Sequence, residues 1–119
     1  MARKFAIFVH ADKTQLARIV HGFWYADDLR ARNHTAEVIF DGAGTQGLAS
    51  LLEPGHKYGE LVTKALQTGV LKGACAYCAK AFQVKEALDK AGIPIIDDNH
   101  THHPDVGQYV DEGYEVLTL

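Results

Sequence analysis

The stretch GACAYCAK, residues 73–80, holds both cysteines of the chain, Cys75 and Cys78, three positions apart. Thiols at this spacing can act as a redox dithiol, supply half of a tetrahedral zinc site, or carry sulfur as a persulfide. In each case the working species is the thiolate. An apolar run precedes the pair and a helical pattern follows it. The spacing therefore places Cys75 at the end of a strand and Cys78 in the first turn of a helix. Backbone N–H groups and the helix dipole at such a place favour a thiolate, and Lys80 adds positive charge nearby. The expectation is a Cys75 pKa below that of an ordinary thiol. The plain alternative is packing, because a free cysteine is among the most buried residue types.

The elements that must position the pair follow from hydrophobic periodicity. KFAIFVH (4–10) is continuously apolar, the mark of a strand buried on both faces of a parallel sheet. TQLARIVHGFWYADDLRARN (14–33) repeats Leu16, Ile19, Val20, Phe23 and Trp24 at helical spacing, with Thr14 or Asp12 as its N-cap and Asn33 as its stop. AEVIFD (36–41) is the second strand, DGAGTQG is a glycine turn, and LASLL is a short helix before Pro54-Gly55. A helix over 57–69 ends at Gly69, and VLKGACA (70–76) is the third strand. One helix is predicted over 79–92, a fourth strand over 93–97, a last helix over 103–113 and a fifth strand over 114–119. The alternation makes this an α/β domain with mainly parallel strands, right-handed crossovers and helices on both faces. Trp24 reads as core or as part of a subunit interface.

In a parallel sheet, ligands gather outside the carboxyl ends of the strands. That edge collects His10 and Asp12 from the first strand, and Asp41 and Gly42 from the second. It also collects Cys75 from the third, and Asp97 and His100 from the fourth. Topology alone thus assembles a candidate site. Cys75, Cys78 and His10 are its chemical residues, and Asp12, Asp41, Gly42, Asp97 and His100 its binding residues. A histidine beside Cys75 would stabilise the thiolate, and an ionised Asp97 would oppose it.

Two further motifs lead less far. GAGTQG (42–47) has the glycine spacing of a dinucleotide fingerprint but follows the second strand, and the next strand ends in cysteine, not an acid. NHTHHP (99–104) could join the cysteines in a Cys2His2 zinc set, but H-x-H-H lacks the helical spacing of such ligands. It reads as a solvated loop. The sequence therefore assigns no cofactor and no metal.

Composition sets the outer bounds. The 119 residues suit one domain spanning 1–119, and 47% apolar with 23% charged residues is ordinary for a globular protein. A formal charge of −3 lacks the footprint of a nucleic-acid binder. No stretch approaches the roughly 20 apolar residues of a membrane span. The run FAIFV is too short for a secretory h-region, so a cytoplasmic protein with reduced thiols is expected.

The opening KFAIFVHADKTQLARIVHGFWYADDLRARNHTAEVIFDGAG, the segment ALQTGVLKGACAYCAKAFQV and the tail DEGYEVLTL together resemble the DsrE/DsrF-like family of small sulfur-relay proteins, with the YchN-like fold. The resemblance implies a three-layer α/β/α sandwich with a mainly parallel five-stranded sheet. It implies homo-oligomers, trimers or hexamers, and in sulfur-transferring members a persulfide-carrying cysteine, matched here by Cys75. Donor and acceptor proteins would be its partners. Cys78 is a departure, because a simple carrier needs one thiol. The expected function is sulfur relay. The alternatives are a C-x-x-C redox protein and an oligomeric metal- or small-ligand-binding module.

Overall fold

The first strand, β1 (Lys4–Val9), is buried along nearly its whole length because it has a strand on each side and side chains on both faces. A computed structural model describes residues 1–97 and 103–119. The helix α1 (Leu16–Ala31) follows β1, and then come β2 (Thr35–Phe40), α2 (Gly44–Ser50) and α3 (Gly59–Thr68). The chain continues through β3 (Leu71–Cys75), α4 (Ala76–Ala81), α5 (Lys85–Lys90), β4 (Ile95–Ile96), α6 (Val106–Asp111) and β5 (Tyr114–Thr118). The five strands form one parallel sheet in the order β4-β3-β2-β1-β5. No helix among the described residues is long and apolar enough to cross a membrane.

Side chains alternate across the sheet, and the two faces are covered unequally. Ile7, Val9, Val38 and Phe40 pack under α1 to α5 with Phe23, Leu48, Val62, Ala79 and Leu88. Ala6, Phe8 and Ile39 face the other way and meet Tyr109 of α6 with Tyr114 and Val116 of β5. The result is a three-layer α/β/α sandwich whose second helical layer is, among the described residues, the six-residue helix α6.

Several elements differ from expectation. The glycine stretch is not a turn ahead of a helix; its second half is α2 itself. The single helix expected over 79–92 breaks into α4 and α5 around Gln83, whose φ of +60° no helix accommodates. Gln15, not Thr14 or Asp12, occupies the N-cap position of α1 and makes no side-chain cap hydrogen bond, while the Asp12 carboxylate accepts from the Thr14 N–H at 2.8 Å in a local turn. The last helix, expected over 103–113, is the shorter α6, capped by Asp105. Of the two readings of Trp24, core is excluded: it remains 41% exposed on α1, beside Tyr25 at 42%.

Two glycines permit the close approaches that shape the carboxyl edge. A Cβ on Gly44 would lie 1.9 Å from the Val9 carbonyl oxygen, so α2 can start directly on the end of β1 only without a side chain there. A Cβ on Gly73 would lie 2.5 Å from the Pro94 carbonyl oxygen. Beside it, Lys72 is an extra residue in β3, since Leu71 pairs with Val38 and Gly73 with Ile39. This bulge sets the register in which β3 delivers Cys75 to the edge.

Candidate functional site

The site is built where β2, β3 and α4 meet. β2 ends at Phe40, and the Asp41 N–H continues its ladder by donating to the Val9 carbonyl at 3.0 Å. That bond holds Asp41 against the end of β1 and leaves its side chain free to turn toward the thiols. Asp41 is 8% exposed, and Oδ1 accepts from the Gly42 N–H at 2.9 Å. β3 ends at Cys75, which is also the N-cap of α4, and its sulfur accepts from the Cys78 N–H at 3.5 Å. One helical turn then brings Cys78 round to the same side, where its thiol donates to Asp41 Oδ1 at 3.6 Å. The ligand atoms of Asp41, Cys75 and Cys78 all lie within 4.8 Å of one another.

His10 completes the arrangement from the solvent side. Its Nε2 stands 3.6 Å from Asp41 Oδ2, and its side chain is 49% exposed. The Asp41 carboxylate therefore presents one oxygen to Cys78 and the other to His10. Thr45, fully buried, ties the following turn by donating from its hydroxyl to the Gly42 carbonyl at 2.9 Å.

Cys75 and Cys78 differ in environment. Cys75 is 1% exposed, whereas Cys78 is half-buried at the rim. Burial pushes the Cys75 thiol up to about 11, and the Cys78 and Asp41 side chains beside it push the same way, against the Cys78 N–H bond to its sulfur. This reverses the lowered pKa expected from sequence. α4 has only six residues, so its dipole is weak beside the cost of a charge in a buried site.

Of the residues predicted for the site, Cys75, Cys78, Asp41, Gly42 and His10 come together. Asp12 does not join the thiol cluster; its carboxylate is held by Thr14, whose hydroxyl and N–H lower its pKa. Asp97 follows Ile96, which pairs with Cys75, but it lines a groove of about 600 Å³ beside α6 with Glu37 and Lys72. The carboxylate that acts on Cys75 is thus Asp41, in the place where Asp97 was expected. His100 lies outside the described residues, as does most of the histidine loop.

Sequence reasoning passed over that groove. Glu37, a charge inside the apolar strand β2, was its signal. The Tyr114 hydroxyl donates to Glu37 Oε1 at 3.0 Å, while Oε2 is buried with no hydrogen-bond partner among the described residues. The raised pKa of Tyr109 comes first from burial and then from the Glu37 charge.

Comparison of the chain with protein-family models, with curated proteins and with solved structures returns no match.

Proposed function

We propose that the protein is a sulfur carrier that takes up sulfane sulfur as a persulfide on Cys78, with Cys75 as its buried neighbour. One observation carries this reading: the half-buried Cys78 thiol hydrogen-bonds a carboxylate that in turn faces a solvent-exposed histidine. The similarity of the strand-cysteine-helix segment to DsrE/DsrF-like proteins supports it, with the accessible role moved from Cys75 to Cys78.

The step balances without an added oxidant. The Cys78 sulfur attacks the outer sulfur of a donor persulfide, R–S–SH. A Cys78 S–S bond forms, the donor S–S bond breaks, and the donor leaves as a thiolate. The Cys78 proton passes to Asp41 Oδ1, and His10 is placed on the solvent side of the same carboxylate to hand it on. Cys75 has the sulfur nearest the persulfide. As a thiolate it would attack Cys78, expel sulfide and close a disulfide. Its raised pKa keeps it a thiol at neutral pH and so protects the carried sulfur.

The proposal includes a reducing, cytoplasmic setting, sulfur donor and acceptor proteins, and a homo-oligomer, trimer or hexamer. Trp24 and Tyr25, exposed on α1, with Tyr58 6.2 Å from the Trp24 ring, offer an aromatic patch for assembly.

Intact-mass measurement after incubation with a persulfide donor tests the reading. The wild type and Cys75→Ser should each gain one sulfur atom, and Cys78→Ser should gain none. Loading that survives Cys78→Ser but not Cys75→Ser would overturn the assignment.

A further inference from the structure

We infer that Asp41, Cys75 and Cys78, joined by His10 as a fourth ligand, form a tetrahedral site for a zinc ion. The inference rests on the geometry of the four side chains and not on the sulfur-carrier reading.

A tetrahedral zinc ion bound about 2.3 Å from sulfur and about 2.0 Å from nitrogen or oxygen sets its ligand atoms roughly 3.3–3.8 Å apart. One edge of such a tetrahedron is already in place: Cys78 Sγ lies 3.6 Å from Asp41 Oδ1, while His10 Nε2 lies 3.6 Å from the other carboxylate oxygen, Oδ2. The sulfurs and the carboxylate oxygen fall within 4.8 Å of one another, so closing the edges among these three ligands takes side-chain adjustments of about 1 Å. The Cys78 N–H already points at the Cys75 sulfur, a contact that stabilises a metal-bound thiolate. Gly42 fixes the carboxylate by donating to Oδ1. His10, on the exposed side, can swing in as the fourth ligand.

The donor set favours zinc over the hard cations. Magnesium and calcium take six or more oxygen ligands, whereas this site offers two sulfurs, one imidazole and one carboxylate. Binding converts two thiols to thiolates and releases two protons, with no change of oxidation state. The bound site would carry a net charge of −1 from two thiolates, one carboxylate and Zn²⁺. Zinc and sulfane sulfur then compete for Cys78, so metal occupancy would act as a brake on sulfur loading.

Titration of the reduced, metal-free protein with Zn²⁺ against a chromophoric chelator tests this. One equivalent should bind with a dissociation constant below micromolar. Asp41→Asn and His10→Ala should each weaken it at least tenfold, and Cys78→Ser should abolish it. Co²⁺ in place of Zn²⁺ should give the intense visible bands of a tetrahedral site with thiolate charge transfer, lost in Cys78→Ser. Circular dichroism of each variant separates loss of a ligand from loss of the fold. Absence of stoichiometric binding, affinity unchanged in folded Asp41→Asn, or octahedral cobalt bands would overturn the site. An unchanged His10→Ala would overturn His10 as the fourth ligand. Persulfide loading of metal-free protein is measured separately by mass, so either reading can fail while the other stands.

Discussion

At the scale of single residues, two thiols one helical turn apart have unequal chemistry because one faces the sheet and the other the rim. With metal absent and at neutral pH, iodoacetamide should modify Cys78 at least tenfold faster than Cys75, as read by peptide mapping. Equal rates would contradict the burial of Cys75. The raised Cys75 pKa also has a stability consequence. Between pH 9.0 and about 11 an unfolded chain releases this thiol proton while the native state keeps it. The unfolded state then binds fewer protons, so stability falls as pH rises through that window, by about 2 kcal/mol in all. Urea denaturation of Cys75→Ala should show a shallower decline across the same range. Tyrosines act alike in both proteins and cancel in the difference. The thiol pair and its neighbours on the strand ends were legible from residue type and topology. The direction of the Cys75 shift was not, because it depends on how far the β3 end is buried, which spacing does not encode.

At the scale of elements, the site depends on how closely α2 approaches β1. Gly44→Ala places a methyl group where the Val9 carbonyl stands, so α2 must move away and carry Asp41 with it. The expected cost is about 1–3 kcal/mol or more in urea denaturation, together with weaker zinc binding. No loss of stability would show that α2 is not seated as described. On the opposite face, Tyr114→Phe removes the partner of Glu37 Oε1 and leaves a carboxylate whose other oxygen has no hydrogen-bond partner among the described residues. That should cost about 1–3 kcal/mol. The G-x-G-x-x-G spacing was visible in sequence, but its use for packing a helix on a strand end was not, since glycine serves a turn, a phosphate loop and a close approach alike. Likewise the break between α4 and α5 lies at Gln83, a residue with no helix-stopping signal of its own. The long elements, β1, α1 and β2, were legible because each carries enough apolar positions to fix its period.

At the scale of the whole molecule, the order β4-β3-β2-β1-β5 puts all strands in parallel and gathers their carboxyl ends on one edge. Strand alternation in the sequence sufficed to predict that edge and the α/β/α layers. It did not predict how unequal the layers are: among the described residues α6 is the one helix on the second face, and β4 is only two residues long. Asp97 consequently belongs to the groove beside α6 and not to the thiol site. Multi-angle light scattering should find a trimer or hexamer, and Trp24→Asp should shift it toward monomer; a wild-type monomer at micromolar concentration would contradict assembly through α1. The most direct test of the account is the location of the carried sulfur. Metal-free wild type is incubated with a persulfide donor at neutral pH, trapped with an alkylating reagent, digested and sequenced by mass spectrometry. The account predicts the extra sulfur on Cys78 with Cys75 unmodified. Sulfur on Cys75, or on neither cysteine at saturating donor, would contradict it.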